Sequence, residues 1–532
     1  MGLHLHRTRM RRPSCTGLSH LTSRSNLLSY VLLGALIAAA TFHAWVYRDL
    51  PLVRNSVIYA RIIDNMVESG PRFSPETQAY GKPLGFAVLS LPFVQTWGAS
   101  LGLKMSSWFW TSLWAVSIVA LSSRLRERLG LTEQHLWLVL VLALLSPLVF
   151  YQSVSAYPDT LFDVTFLWSL YFLDRTLSLT ARWFDGILLT LMMVASVWVK
   201  HHGVVLIPIL LAFVLIRGRQ LPAIWRERKG ASLVSVAAVA IMMLTLVAAF
   251  QGRVPLFNLH AVVQNYTQSW GVQPGAVSHG GFVRDTLVPN LRMLEFGFLV
   301  TLGICTPLLF WPRHVGKNLE WYVTVAIMIL TLIVYRGSKL NPRYLISITP
   351  LLATFVAASL VALPHRFRVA VIGLFIGVNA YTTLYYNSIG FHDLASRIVP
   401  LAPHDNLRLT AEQRERRAEI DQINRLAAGG AKTLIVVSDY YGDARNYVLD
   451  ESFNDSLRIQ YQTIWDPGAL ARTGPEPTVV LYDQFNSRTR SITPTTRALD
   501  RVGERLTDSI WIVRTGLGTR QAGTSHRPAD QD

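Results

Sequence analysis

The sequence predicts an α-helical polytopic membrane protein with about eleven transmembrane helices, outer-face juxtamembrane helices and a small C-terminal α/β soluble domain. Only 16% of its 532 residues are charged, whereas soluble domains carry about a quarter. Its apolar residues lie in uncharged runs of about 18–22 residues, the length of a membrane span. The chain therefore divides into a basic cytoplasmic N-terminus (1–26), a membrane domain (27–386), an α/β domain (387–515) and a disordered tail (516–532).

Charge and cysteine content exclude several other classes of protein. The net charge of +17 resides in short basic clusters between apolar runs. That distribution is typical of cytoplasmic loops and does not form a nucleic-acid-binding stripe. The two cysteines, Cys15 and Cys305, lie in the basic leader and in an apolar run, so no disulfide or thiolate metal site is indicated.

The basic clusters also orient the predicted spans. All of them fall on the cytoplasmic side only if one apolar run does not cross the membrane. The weakest run is residues 84–103, which contains Pro92 and Gly98. We therefore expect this segment to lie along, or to dip into, the outer membrane face, within an outer loop at residues 47–104. We expect a second outer loop at residues 251–292.

The stretch NSVIYARIIDNMVESG, after the first apolar run, predicts an amphipathic helix. The polar side chains recur at the i, i+3, i+4, i+7 spacing of one helix face, and they are Arg61, Asp64, Asn65 and Glu68. We expect this helix to lie on the outer membrane surface with its apolar face toward the bilayer.

The polar C-terminal region predicts one long helix and several strands. The stretch LTAEQRERRAEIDQINRLAAGG reads as a helix with Thr410 as N-cap, Gln413 completing a capping box and Gly429 ending it. The segments AKTLIVVS, TVVLYD and SIWIVRTG are strand-like. Together these elements predict a small α/β domain on the outer face.

A group of basic residues stays on the outer side against the charge rule. Single basic residues at a span end are also typical of side chains that reach from the interface to water. Their recurrence at several span ends indicates an anionic ligand, and the residues are Lys82, Lys200, Arg336, Lys339 and Arg343.

Two aspartates lie at the start of a predicted span. Asp159 follows Pro158, a residue typical of helix starts, and Asp163 comes one turn later on the same face. A carboxylate inside a span is costly and marks a functional candidate. The alternative is that Asp159 only complements the positive end of the helix dipole.

These motifs, in this order, resemble the C-type superfamily of integral-membrane glycosyltransferases, especially the families of lipid A aminoarabinose transferases and protein O-mannosyltransferases. The similarity covers about residues 26–352. It rests on Tyr59, Ala60, Ile62, Met66, Gly70, the segment YGKPLG, Asp159, the segment VKHHG with Gly203, and the turn SKLNPRY. The resemblance implies transfer of a sugar from a polyprenyl-phosphate donor to a lipid, glycan or protein acceptor at the outer face. His201 and His202 could be metal ligands, but adjacent histidines at a span end are more typical of the membrane interface, so we expect no metal and no cofactor.

The resemblance also implies roles for individual residues. The residues expected to bind the donor phosphate are Lys82, Lys200, Lys339, Arg343 and Tyr344. The residues expected to contact the sugar or the acceptor are Asn55, Tyr59, His260 and Trp270. The acidic pair of the family falls on Asn55 and Ser56, and a neutral amide cannot accept a proton. The catalytic carboxylate is therefore expected among Asp159, Asp64 and Asp49, with Asp159 first.

Two other functions stay open at this point. The neutral Asn55 and Ser56 favour a non-catalytic subunit that binds lipid-linked sugars or assists assembly with the same fold. A secondary transporter is less well supported, because transporters place charges near the midplane and show repeats. The short loops and the resemblance indicate a bacterial inner membrane, with the C-terminal domain in the periplasm.

Overall fold

The computed structural model describes residues 47–53, 55–69, 82–145, 155–254, 318–336, 346–387, 389–398, 405–437, 449–462, 476–482 and 494–513, with single positions in between. The predicted N-terminal segment (1–26) and tail (516–532), and nearly all of the loop at 251–292, lie outside the described residues. The described chain is a helical bundle followed by a five-stranded sheet.

Helices make up most of the described chain before the sheet. Short 3₁₀ turns at Glu133–His135, His201–Val205 and Gly218–Gln220 join some of them. The helices are α1 (Asn55–Ser69), α2 (Gly85–Trp97), α3 (Ala99–Leu129), α4 (Leu136–Leu144), α5 (Asp159–Thr176), α6 (Trp183–Val199), α7 (Leu206–Ile216), α8 (Leu221–Glu227), α9 (Lys229–Phe250), α10 (Leu319–Arg336), α11 (Thr349–Val361), α12 (His365–Asn387) and α13 (Ile389–Ala395).

Several of these helices have the composition of membrane spans. Within the described residues, α9 and α12 are each long and apolar enough to cross a membrane, and α9 has a mean hydropathy of 2.6 over its best window. A third candidate is the pair His201–Ile216 and Gly218–Glu227, which bends by 58°. Shorter apolar helices include α6 and α11. The total of about eleven spans stays a prediction.

The segment predicted to lie along the outer face is a helical hairpin. Helix α2 has 13 residues, or about 20 Å, which is shorter than the roughly 30 Å apolar core of a bilayer. It ends at Gly98, whose φ of 76° favours glycine. The prediction of one segment reaching residue 103 is wrong, because the 31-residue helix α3 already begins at Ala99.

Helix α1 is present as predicted, but protein covers its apolar face. Val57, Ile62 and Ile63 are fully buried, and α1 packs against α2 and α3. The expectation that this face lies toward the bilayer is therefore wrong. An apolar face is stabilised equally by a protein surface, and the periodicity of the sequence does not distinguish the two.

The polar face of α1 contacts the C-terminal region through Arg61. Its guanidinium donates to the Asp450 carboxylate at 2.7 Å and to the Tyr461 hydroxyl at 3.1 Å, and the Tyr461 hydroxyl also donates to Asp450. Burial lowers the pKa of Arg61, but the hydrogen bond and charge of Asp450 outweigh it and raise the pKa above its usual value. Burial and the neighbouring Asp450 raise the pKa of Tyr461. In the Arg61–Asp450–Tyr461 cluster, the arginine side chain therefore stays positively charged and the tyrosine hydroxyl stays protonated.

The five strands of the sheet are β1 (Thr433–Val437), β2 (Arg458–Gln462), β3 (Thr478–Tyr482), β4 (Glu504–Arg505) and β5 (Ile510–Val513). Their order in the sheet is β2-β1-β3-β5-β4, with β1 parallel to β2 and β3 and with β5 antiparallel to β3 and β4. Ile423 of the preceding helix packs on one face with Leu434 and Val479, whereas Leu499 packs on the other with Trp511. The three segments predicted as strands are confirmed. The two helices of this region are α14 (Asp405–Ala428) and α15 (Pro494–Val502).

Helix α14 begins earlier than its sequence predicts. It starts at Asp405, so the expected N-cap at Thr410 is wrong and that residue lies inside the helix. Gln413 does not complete a capping box there. Its side chain donates to the carbonyl oxygen of Pro51 at 3.2 Å. The helix ends before Gly429, as predicted.

A buried ion network joins four helices at the end of α5 opposite Asp159, about 22 Å away along the helix. Arg217 contacts Asp174 at 2.5 Å and Glu320 at 2.6 Å. Arg128 contacts the same two carboxylates, at 3.0 and 2.8 Å, and Arg124 contacts Asp174 at 2.6 Å. The Asp174 side chain is fully buried. The network fixes α3, α5, α7 and α10 to one another.

Candidate functional site

Helices α5 and α6 bring Asp159 and Lys200 into direct contact. Asp159 is the first residue of α5, and Lys200 directly follows α6. The ammonium lies 2.5 Å from Asp159 Oδ1, and both side chains are buried. The Lys200 ammonium also lies 5.3 Å from the centre of the Phe162 ring. Each charge therefore compensates the other in surroundings where neither is stable alone.

Asp163 places a second carboxylate one turn along α5. It is fully buried and accepts a hydrogen bond from Ser347. Its Oδ2 has no hydrogen-bond partner among the described residues. Its partner Ser347 lines a cavity of about 20 Å³ together with Lys200 and His202 among others, which is enough for one water molecule. Asp163 thus belongs to the same polar cluster as Lys200.

The start of α1 is hydrogen-bonded to the loop that precedes Asp159 and α5. The Ser56 hydroxyl is buried and donates to the Ser155 carbonyl oxygen at 2.6 Å. The next residue of that loop, Ala156, has a φ of 53°, which is costly for a residue with a side chain. Ser56, at a position where the resembling family has an acid, therefore has a structural contact here.

The described part of the YGKPLG segment, from Lys82 to Gly85, leads into a contact with the end of α6. A Cβ atom on Gly85 would lie 2.8 Å from the backbone of Trp198 and Val199, so only glycine permits this approach. Lys82 is three residues before Gly85, a reach of about 10 Å. The packing therefore keeps the segment of Lys82 beside the segment that ends in Lys200.

We expect the substitution Gly85→Ala to disturb this contact. The added methyl group meets backbone atoms that cannot rotate away, so the free energy of unfolding should fall by about 1–3 kcal/mol. Thermal unfolding in detergent measures the change. Gly373→Ala in α12 is the matched control, because no atom lies within 4 Å of its added methyl group. Equal melting temperatures for the two variants would contradict the close packing.

Asp49 and Asp64, the other two candidate carboxylates, differ in exposure. Asp49 is 75% exposed and pairs with Arg48 at 3.3 Å. It lines a second cavity of about 910 Å³, which shares no lining residue with the cavity beside Lys200. Asp64 is half-buried on α1. A catalytic role for either residue stays a prediction.

The remaining predicted site residues have mixed placements. Asn55 is the half-buried first residue of α1. Tyr59 is buried and contacts Phe86 edge-on, with ring centres 5.1 Å apart, which is a packing contact. His260 is exposed, with its Nδ1 3.1 Å from the Phe250 carbonyl oxygen. Four predicted residues lie outside the described residues: Trp270, Lys339, Arg343 and Tyr344.

Asp163 and the ion network show what the sequence did not reveal. The i+4 spacing after Asp159 pointed to Asp163, but nothing in the sequence pointed to its partner Ser347, 184 residues away.

Within the described part of the chain, no group of three or more His, Cys, Asp or Glu side chains could hold a metal ion.

Solved structures of ArnT from Cupriavidus metallidurans resemble this chain. The apo structure matches with a TM-score of 0.59 and 14% identity over 91% of this chain and 98% of that chain. The chain has an ArnT-like fold. The structure of ArnT bound to undecaprenyl phosphate matches with a TM-score of 0.58 and 15% identity over 92% of this chain and 98% of that chain. The resemblance to C-type membrane glycosyltransferases is thereby confirmed at the level of the fold. No protein-family model matches the sequence, and no curated protein sequence matches it significantly.

Proposed function

We propose that the chain transfers a sugar from a polyprenyl-phosphate-linked donor to a lipid, glycan or protein acceptor at the outer membrane face. The observation that supports this most is the buried Lys200–Asp159 pair beside the YGKPLG segment, within an ArnT-like fold. ArnT has been solved with undecaprenyl phosphate bound. We place the chain in a bacterial inner membrane, with its N-terminus in the cytoplasm and its sheet domain in the periplasm.

In this proposal, cations bind the donor phosphate. Lys82 and Lys200 contact it, together with Lys339, Arg343 and Tyr344 of the later turn. Transfer breaks the bond between the anomeric carbon and the phosphate oxygen, and the electron pair leaves with the lipid phosphate. Fixed positive charges stabilise that leaving group as its charge develops. Asn55, Tyr59, His260 and Trp270 are the proposed contacts of sugar or acceptor.

A carboxylate completes the reaction. The acceptor hydroxyl attacks the anomeric carbon from the side opposite the phosphate, so the configuration inverts, and its proton passes to a carboxylate. Asp159 is the first candidate because Lys200 already orients it, and Asp64 and Asp49 are the others. When Lys200 moves to the donor phosphate, Asp159 is released to accept the proton. Donor binding would thus activate the base.

A non-catalytic subunit that binds lipid-linked sugar is the second candidate function. The contact of Ser56 with Ser155 favours it, because an expected acidic position carries a structural hydroxyl instead. Such a subunit would use the same cations for the lipid phosphate and would need no base.

One assay separates the two functions. The purified full chain is incubated in detergent with a panel of polyprenyl-phosphate hexoses and pentoses and with a membrane lipid extract as acceptor. We expect free polyprenyl phosphate and a product of inverted anomeric configuration, read by mass spectrometry and NMR. The control is the Asp159→Asn variant. Saturable binding of a donor without turnover would support the subunit and overturn the enzyme.

A further inference from the structure

The larger cavity lies between the end of the first apolar run, the start of helix α3 and helix α14, and we name it the outer cleft. Its volume is about 910 Å³, within the usual range of small-molecule sites of about 300–1,000 Å³. One wall comes from the first apolar run and α3, and the other comes from α14. It shares no lining residue with the cavity beside Lys200. The outer cleft is therefore a separate feature of the molecule.

The membrane-side wall of the outer cleft contains apolar and aromatic side chains. Trp45, Met105 and Trp108 line it, and the Trp108 indole donates to the Thr41 hydroxyl at 2.9 Å. Thr41 also lines the cleft. Tryptophan side chains are enriched at the level of lipid headgroups. This wall thus suits the upper part of an acyl chain.

The opposite wall carries the charges of a headgroup site. Arg417, Asp421 and Asn424 project from α14. Arg417 contacts Asp421 at 3.2 Å, and both are about half exposed. Ion pairs of this kind are weak, so a phosphate can exchange for the carboxylate.

Positive charge is in excess across the outer cleft. The Arg48 guanidinium lies 3.6 Å from the centre of the Trp45 ring, which places it at the boundary of the two walls. Lys104 is buried and donates to the backbone carbonyls of Tyr47, Arg48 and Leu50. Three cations therefore line the cleft against the two carboxylates of Asp49 and Asp421.

We propose that the outer cleft binds a membrane phospholipid, with its phosphodiester between Arg48 and Arg417 and an acyl chain along Trp45 and Trp108. The aromatic side chains of one wall and the charged side chains around the cleft favour this amphiphile over a soluble saccharide, which would leave the apolar surface in water. The bound lipid would join α14 to the membrane helices. This site neither uses the sugar donor nor depends on the proposed transfer reaction.

Native mass spectrometry of the full chain in detergent tests the site. Titration with phosphatidylglycerol should give one saturable adduct, which the Arg48→Ala/Arg417→Ala double variant weakens at least about tenfold. The matched control is Arg425→Ala/Arg458→Ala, which removes two exposed arginines, one of them on α14, that do not line the cleft. Leu101→Trp, which fills the cleft without removing charge, should weaken the adduct similarly.

Three results would overturn the proposal. The first is an unchanged affinity in both the double arginine variant and Leu101→Trp. The second is equal affinity for diacylglycerol, which lacks the phosphate. The third is displacement of bound phosphatidylglycerol by a soluble oligosaccharide. Melting temperatures without lipid identify a variant that has failed to fold, in which case the other variant decides.

Discussion

Replacing Asp159 with asparagine should lower the rate of sugar transfer by about 10²–10⁴-fold, because the amide cannot accept the acceptor proton. The loss should appear in kcat, with a smaller change in the KM of the donor. Initial rates of polyprenyl phosphate release measure it. The control is Asp508→Asn, which removes a 92% exposed carboxylate paired with Arg505. Full activity of the Asp159→Asn variant would contradict our assignment.

A double variant separates chemistry from folding at this pair. Single changes leave one buried charge without its partner, which destabilises by several kcal/mol. The variant Asp159→Leu/Lys200→Met removes both charges and should recover much of the melting temperature. Its activity should stay lost, because the base and one of the proposed phosphate cations are both gone. Recovery of activity along with stability would show that the pair only holds α5 and α6 together.

The second large effect is expected on stability, at the opposite end of α5. The substitution Asp174→Asn leaves three arginines around a single remaining carboxylate, Glu320. Removing one partner from a buried ion network costs about 3–5 kcal/mol. We expect a correspondingly lower midpoint in thermal or denaturant unfolding in detergent, with near-normal activity in the fraction that is folded.

The Arg126–Glu133 pair provides the comparison for this network. It has an equally short contact of 2.5 Å, but Glu133 is 53% exposed. Because water solvates exposed charges, Glu133→Gln should change the free energy of unfolding by no more than about 0.5 kcal/mol. Similar effects of Asp174→Asn and Glu133→Gln would mean that the network is solvated in the folded protein.

Local patterns predicted the helices and strands, and they also selected Asp159 and Lys200. Both residues stood out because charge is rare at such positions in spans. Their mutual contact was not predictable, since it depends on how α5 and α6 pack. The surroundings of α1 escaped prediction for a related reason. Periodicity reports which face of a helix is apolar, but it does not report whether lipid or protein covers that face.

Errors at element boundaries had identifiable causes. The early start of α14 at Asp405 shows that a capping sequence is a weak signal when Gln413 has a tertiary partner. The start of α3 at Ala99 follows from the single left-handed residue Gly98. Sequence alone treated Gly98 as one more polar interruption of residues 84–103, because an unusual φ is visible only in the folded chain.

The Arg61–Asp450–Tyr461 cluster has a consequence for protein engineering. Arg61 lies on α1, whereas its two partners lie about 390–400 positions later, Asp450 between β1 and β2 and Tyr461 within β2. A chimera that exchanged the C-terminal region with that of another protein would have to supply an acid and a phenol at matching positions. A truncated chain that ended before the sheet would remove Asp450 and Tyr461 from the Arg61 guanidinium. The sheet region is thus not an interchangeable module, and grafts should cut the chain so that the cluster is transferred as a unit.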